Sequence, residues 1–121
     1  MGDYRPPAGW KNDIIHGIIR EGYVIEQISL HVQDQYGMYF YRTHQGAECD
    51  LVLTIANRPE ITVEIKYTAA PRVSKSLRTS IEDLGTQKNF IICLSEEVYP
   101  IAENITVCNL DFFINMYLIK N

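Results

Sequence analysis

The sequence predicts a mixed α/β (α+β) domain in which helices flank a mixed sheet. Three observations predict it. Apolar residues recur at helical spacing from about Asp13 to Gln33. Two runs rich in Val, Ile and Thr, Ala47 to Ile55 and Glu60 to Lys66, face each other across the break Ala56-Asn57-Arg58-Pro59. A strand–helix–strand step then follows, which is how a sheet acquires a parallel pair.

Each element has a local reason. Met1 to Trp10 holds two prolines and two glycines, so residues 1–11 read as an irregular lead-in or severed linker, and 12–121 as one domain. Ile14, Ile15, Ile18, Ile19, Tyr23, Ile25, Ile28 and Val32 mark one long helix, with Asp13 as N-cap or first-turn anion and loosening expected near Gly17 and Gly22. Met38 to Thr43 is a short aromatic strand, and His44-Gln45-Gly46 turns it into the central hairpin. Ser74 or Ser76 caps a helix running to about Leu84, which Gly85 ends. Asn89 to Leu94 is apolar throughout, as a strand buried on both faces would be. Ile105 to Leu110 is a further strand, and Asp111 caps a last helix from Phe112 to about Leu118. The order is α, β, β, β, α, β, β, α.

At 121 residues and 46% hydrophobic the chain is long enough for a sizeable core. The net charge of −4 gives no global attraction for nucleic acid, so any such binding needs a local patch. No apolar run reaches 18 residues and no secretory leader opens the chain, which implies no membrane span and a cytoplasmic location. Cys49, Cys93 and Cys108 are far apart in strand-like contexts and read as buried free thiols. His16, His31 and His44 lack the spacing of a zinc site. The final helix is apolar almost all round, so its surplus should bury against a second copy or another domain.

The chemistry concentrates in the hairpin. Side chains alternate along a strand, so Glu48 and Asp50 share a face, as do Glu64 and Lys66, while Ile61, Val63 and Ile65 take the opposite, apolar face. Charges in the most β-prone part of the chain are costly unless they bind something, although a solvated face also accommodates them. Two carboxylates and a carbonyl suffice for Mg²⁺ or Mn²⁺, which keeps several waters. Asp50, Glu64 and the Ile65 carbonyl are the candidate ligands, and Lys66 the residue that positions water and stabilises charge on phosphorus. Glu26, one turn after Gly22, can hold a metal-bound water or a second ion; Gly22 would let another backbone approach. Arg42, Arg72, Lys75 and Arg78 are candidate phosphate contacts, and equally ordinary solvated cations.

Asp50, a hairpin and then Glu64-Ile65-Lys66 resemble the D…(D/E)XK signature of the PD-(D/E)XK nuclease superfamily, with its αβββαβ restriction-endonuclease-like core. Gly22…Glu26, Tyr41-Arg42-Thr43…Gly46-Ala47-Glu48-Cys49-Asp50 and Val63-Glu64-Ile65-Lys66 together resemble one branch, the C-terminal domain of a large family of prokaryotic AAA-type ATPases. Cys49 stands where the superfamily's name has proline, and no phosphate-binding loop of the G-x-x-x-x-G-K-[ST] type is present, so the ATPase itself is absent. The resemblance implies the fold more firmly than the activity. Two expectations follow. One is a Mg²⁺-dependent nuclease acting on DNA. The other is a catalytically weak or inactive interaction module beside an AAA-type ATPase, with a homodimer through the C-terminal helix as a further partner.

Overall fold

A computed structural model describes residues 12–32 and 34–119, with side chains in the first helix described from Glu21 onward. The lead-in, the side chains of Asp13, Ile14, Ile15, His16, Ile18 and Ile19, and the helix end at Gln33 lie outside the described residues. The elements are α1 (Asn12–Val32), β1 (Gly37–Arg42), β2 (Glu48–Ile55), β3 (Arg58–Ile65), α2 (Lys75–Leu84), β4 (Lys88–Ile92), β5 (Tyr99–Ala102), β6 (Ile105–Cys108) and α3 (Leu110–Phe113), which runs on into a π-helical turn, Ile114–Leu118. One six-stranded mixed sheet has the order β1-β2-β3-β4-β6-β5. The pairs β1–β2, β2–β3 and β5–β6 are antiparallel; β3–β4 and β4–β6 are parallel. The fold class is therefore mixed α+β, with one strand more than the sequence reading gave. No described helix is long and apolar enough to cross a membrane.

The β2–β3 connection is tighter than expected. Only Ala56 and Asn57 form the turn, both with positive φ (52° and 64°), as a two-residue I′ hairpin requires. Arg58 and Pro59 already belong to β3. Proline is tolerated there because β4 first pairs at Ile61↔Lys88, so no ladder partner waits for the missing N–H on that side.

Both faces of the sheet are covered. Leu51, Leu53, Ile61, Val63, Phe90, Ile92 and Cys108 pack against Ile28 and Val32 of α1 and against Phe113, Ile114 and Leu118. Cys49, Val52, Ile91, Cys93, Ile105 and Val107 pack with Leu77 of α2. Thr62 and Glu64 therefore lie in a buried layer, not on the solvated face that alternation alone allows. Strict alternation also fails within β2. Tyr39 pairs with Val52 and Tyr41 with Cys49, so β2 carries one extra residue in the Asp50–Leu51 stretch. This bulge puts Cys49 and Leu51 into opposite layers, and bulges of this kind re-aim side chains at sheet edges and beside functional sites.

Ser74 caps α2 by accepting from the Leu77 N–H at 3.0 Å, and Gly85 ends it at φ 69°, its N–H donating to the Ile81 carbonyl at 2.8 Å. Asn109, not Asp111, caps α3: its side chain accepts from the Phe112 N–H at 2.8 Å, which leaves Asp111 as a first-turn anion. Phe113, Ile114 and Leu118 are buried and Phe112 and Tyr117 pack against them, leaving Met116 and Ile119 exposed. All three cysteines are free and buried. Burial pushes the Cys49 thiol up to about 11 and the Cys108 thiol up to about 12.

A polar clamp holds β3 to β4. Asn89, 1% exposed, accepts from the Thr62 hydroxyl at 2.6 Å and from the Thr86 hydroxyl, and donates to the Thr86 and Asn104 carbonyls. Asn89→Ala strands the fully buried Thr62 hydroxyl and two carbonyls. It should destabilise the fold by about 3 kcal/mol, measured by urea denaturation; a loss below about 0.5 kcal/mol would show the clamp to be idle.

Candidate functional site

The site forms where β2 and β3 emerge from the hairpin beside the N-terminus of α2. The β2–β3 ladder ends at the pair Leu51↔Val63, and Asp50 and Glu64 are the next residue out on each strand. Asp50 Oδ2 accepts a hydrogen bond from the Ile65 N–H at 2.7 Å, which ties the bulged segment to the end of β3. Ile65, proposed as a ligand through its carbonyl, thus also contributes through its N–H.

Glu64 is 7% exposed, and its two oxygens have different fates. Oε1 accepts from the Ser74 hydroxyl at 3.0 Å and lies 3.6 Å from Lys66 Nζ. Oε2 is buried and has no hydrogen-bond partner among the described residues. Burial pushes the Glu64 carboxyl above its ordinary value; the Lys66 charge and the Ser74 hydroxyl pull the other way, and Asp50 pushes it further up. Lys66 follows the last residue of β3 and is half-buried, with its N–H donating to the Ile92 carbonyl at 2.9 Å. Backbone pairing thus fixes the root of the lysine while its tip stays within reach of solvent.

The helix contributes a residue that the sequence reading passed over. Glu21 lies against Asp50, and its carboxyl is raised by burial first, then by Asp50 and Glu48, against the opposing Lys66. Glu26 lies five residues further on, about 140° around the helix from Glu21. No described residue approaches Gly22 closely either: among the described residues nothing lies within 4 Å of an added Cβ there. The overlooked signal was periodicity: Glu21 stands three and seven residues before Val24 and Ile28, which face the sheet. A carboxylate on the apolar stripe points into the protein. One on the flank does not.

Glu21, Asp50, Glu48, Arg42, Tyr41 and Phe40 border a cleft of about 480 Å³. Arg42 is engaged there with Glu48, its partner across β1–β2, at 2.7 Å; both are well exposed. Tyr41 donates to Asp83 Oδ2 at 3.0 Å, which ties β1 to α2. Arg72 and Lys75 are exposed on either side of Ser74 in sequence, and Arg78 is exposed one turn into α2. His31 bonds the Gln27 carbonyl through Nδ1 at 2.7 Å, and His44 is exposed in the β1–β2 turn.

Among the described residues, no three His, Cys, Asp or Glu side chains converge closely enough to form a ready-made metal cage. Glu64 with its orphaned buried oxygen, and Asp50 beside it, nevertheless offer the hard oxygen donors that a Mg²⁺-type ion accepts from protein while keeping its waters. The residues fit such an ion as a two-carboxylate site.

Two relatives were found, the uncharacterized proteins Mb2031c of Mycobacterium bovis and Rv2008c of Mycobacterium tuberculosis. Each is 32% identical over 91 residues, which is 75% of this chain and 20% of the relative. The chain thus spans about a fifth of the length of the relatives it matches. No solved structure matches it. Over residues 16–113 it matches the domain of unknown function DUF4143, and the chain belongs to that family.

Proposed function

We propose that the domain is a metal-dependent nuclease of the PD-(D/E)XK type, hydrolysing a phosphodiester at the Asp50–Glu64–Lys66 site. The observation that carries this reading is the buried, unpartnered Oε2 of Glu64 beside a second carboxylate and a lysine. An orphaned anionic oxygen is costly in a protein interior and is relieved by a cation. The order α1-β1-β2-β3-α2-β4 supports the αβββαβ core that the signature implies.

Asp50, Glu64 and the Ile65 carbonyl would hold Mg²⁺ or Mn²⁺, with Glu21, rather than Glu26, supporting Asp50 from the helix. When bound, the ion supplies Lewis-acid polarisation of the phosphate and lowers the pKa of water. The chain's own residues do the rest. Lys66, on its fixed root, donates to a phosphate oxygen and opposes the charge that develops there. Ser74 holds Glu64 Oε1, so that Oε2 is the oxygen left for the cation. Arg72 and Lys75 are placed to meet flanking phosphates of a DNA strand.

A second reading, an interaction module joined to a larger partner such as an AAA-type ATPase, is favoured by two observations. The chain matches a fifth of its relatives' length, and Tyr39 and Phe40 are exposed on the edge strand β1. A homodimer through the C-terminal segment would use Met116 and Ile119.

Substitution at the site separates the two readings. Asp50→Asn should lower Mn²⁺ affinity by tenfold or more and abolish cleavage, because one ligand charge is gone. Lys66→Ala should retain Mn²⁺ binding and lose turnover. Calorimetric titration with Mn²⁺ and cleavage of labelled oligonucleotides read both, and absence of any Mn²⁺ binding to the wild type would sink the catalytic reading.

The pH dependence has a defined sign. Because the folded value of Glu64 is raised, its protonated form favours folding; this contribution is complete below the unfolded value near 4.5 and is lost as pH rises through the raised folded value. In EDTA, wild type should therefore lose Tm relative to Glu64→Gln as pH climbs from about 4.5 to 7. Mn²⁺ at neutral pH should restore wild type alone. Parallel melting curves at every pH would refute the assignment.

A further inference from the structure

Lys66 borders a second depression. A groove of about 330 Å³ opens at the carboxyl ends of the parallel strands β3 and β4, lined by Tyr23 of α1, Ile65, Lys66, Tyr67, Ile92 and Leu94, among others. Crevices beyond the carboxyl ends of parallel strands are where open α/β sheets commonly bind ligands. The floor is apolar and the rim is exposed: Tyr23 is 56% accessible, Tyr67 43% and Leu94 55%. Two backbone bonds build the rim. The Lys66 N–H donates to the Ile92 carbonyl at 2.9 Å, and the Leu94 N–H donates to the Thr68 carbonyl at 3.0 Å, so the segment after β3 is laced to the segment after β4.

The groove solves a problem that the charge of the protein creates. A duplex presents phosphates outward and keeps its bases stacked, so a protein that grips duplex draws its affinity from many cations. This chain carries 15 acidic against 11 basic residues, and Arg42 is already paired with Glu48. Lys66, Arg72 and Lys75 reach only a few phosphates, so binding needs a contribution beyond phosphate charge. Aromatic side chains beside a track for the backbone are how single strands are held, because every base has a face to stack. Here the aromatic and apolar rim begins at Lys66, the residue assigned to the phosphate.

We infer that this groove receives an unpaired nucleobase stacked on Tyr23, so that the substrate is a strand that is single or unpaired at the position cut. The inference rests on the nuclease reading and names its substrate class. A base seated there sets its own phosphate next to Lys66 and Glu64, and a paired base cannot reach the groove without leaving its stack. The sugar is left open, since stacking does not distinguish DNA from RNA.

Fluorescence anisotropy with labelled oligonucleotides, with Ca²⁺ present to neutralise the carboxylates, tests this. Single strands should bind more tightly than a blunt duplex of the same sequence. Tyr23→Ala should weaken single-strand binding by about tenfold and leave duplex binding unchanged, whereas Tyr23→Phe, which keeps the ring, should bind like wild type. Tyr23 is exposed, so its removal should not unfold the domain, and circular dichroism checks that. Deoxyribose and ribose strands are compared in parallel; binding of either supports the inference, and the ratio assigns the source. Equal or tighter duplex binding, or an unchanged Tyr23→Ala variant, overturns it. If duplex is also cut with Mn²⁺, only the groove assignment fails. If the protein binds neither Mn²⁺ nor any strand, the nuclease reading fails with it, and the groove is left as a surface for a protein partner.

Discussion

The hydroxyl of Ser74 has one proton and two lone pairs, and the site depends on how they are spent. The proton goes to Glu64 Oε1 and a lone pair receives the Leu77 N–H, so one oxygen both starts α2 and fixes the rotamer of a buried carboxylate. Packing of Leu77 against the sheet then locks the helix in place. Removing that hydroxyl would loosen a helix end and free a buried anion together, two costs that are separate in most proteins. Helix position, strand end and carboxylate orientation are thereby a single mechanical unit.

Around that unit the charges do not balance. Glu21, Asp50 and Glu64 face one ammonium group, Lys66, and the upward displacement of Glu21 and Glu64 is the thermodynamic trace of the mismatch. Desolvation is the first cause in both, with Asp50 adding repulsion. A structural ion pair would have matched signs and satisfied every oxygen. Under the proposed function, the surplus of negative charge and the unsatisfied oxygen at Glu64 are a cost that a bound cation would relieve.

Much of this was legible in the residues. The hairpin strands and the doubly buried β4 follow from apolar and β-branched composition, and the Ser74 cap and Gly85 stop from backbone requirements that few residue types meet. What was missed depends on neighbours far away in sequence. Tyr99–Ala102 is four residues long and contains Pro100; it becomes a strand only because β6 offers an edge. The bulge at Asp50 exists through pairing with β1, and no alternation rule contains it. The spacing of Gly22 and Glu26 points to Glu26, whereas the apolar stripe that sets which side of α1 meets the sheet brings Glu21 beside Asp50. Asn109 was passed over for Asp111 because both are good caps and only the path of the chain after β6 decides between them.

The buried thiols carry a last implication. With values near 11 and 12, Cys49 and Cys108 are thiolate in roughly one molecule in ten thousand or fewer at neutral pH, and alkylating or oxidising agents need the thiolate and a path to it. Cys49 sits beside the bulge and Cys108 beneath α3, one in each layer. Their modification must wait for the sheet to part, so its rate is the population of opened molecules multiplied by the reactivity of the exposed thiol. Cys49 and Cys108 would thus report openings on opposite faces of the sheet.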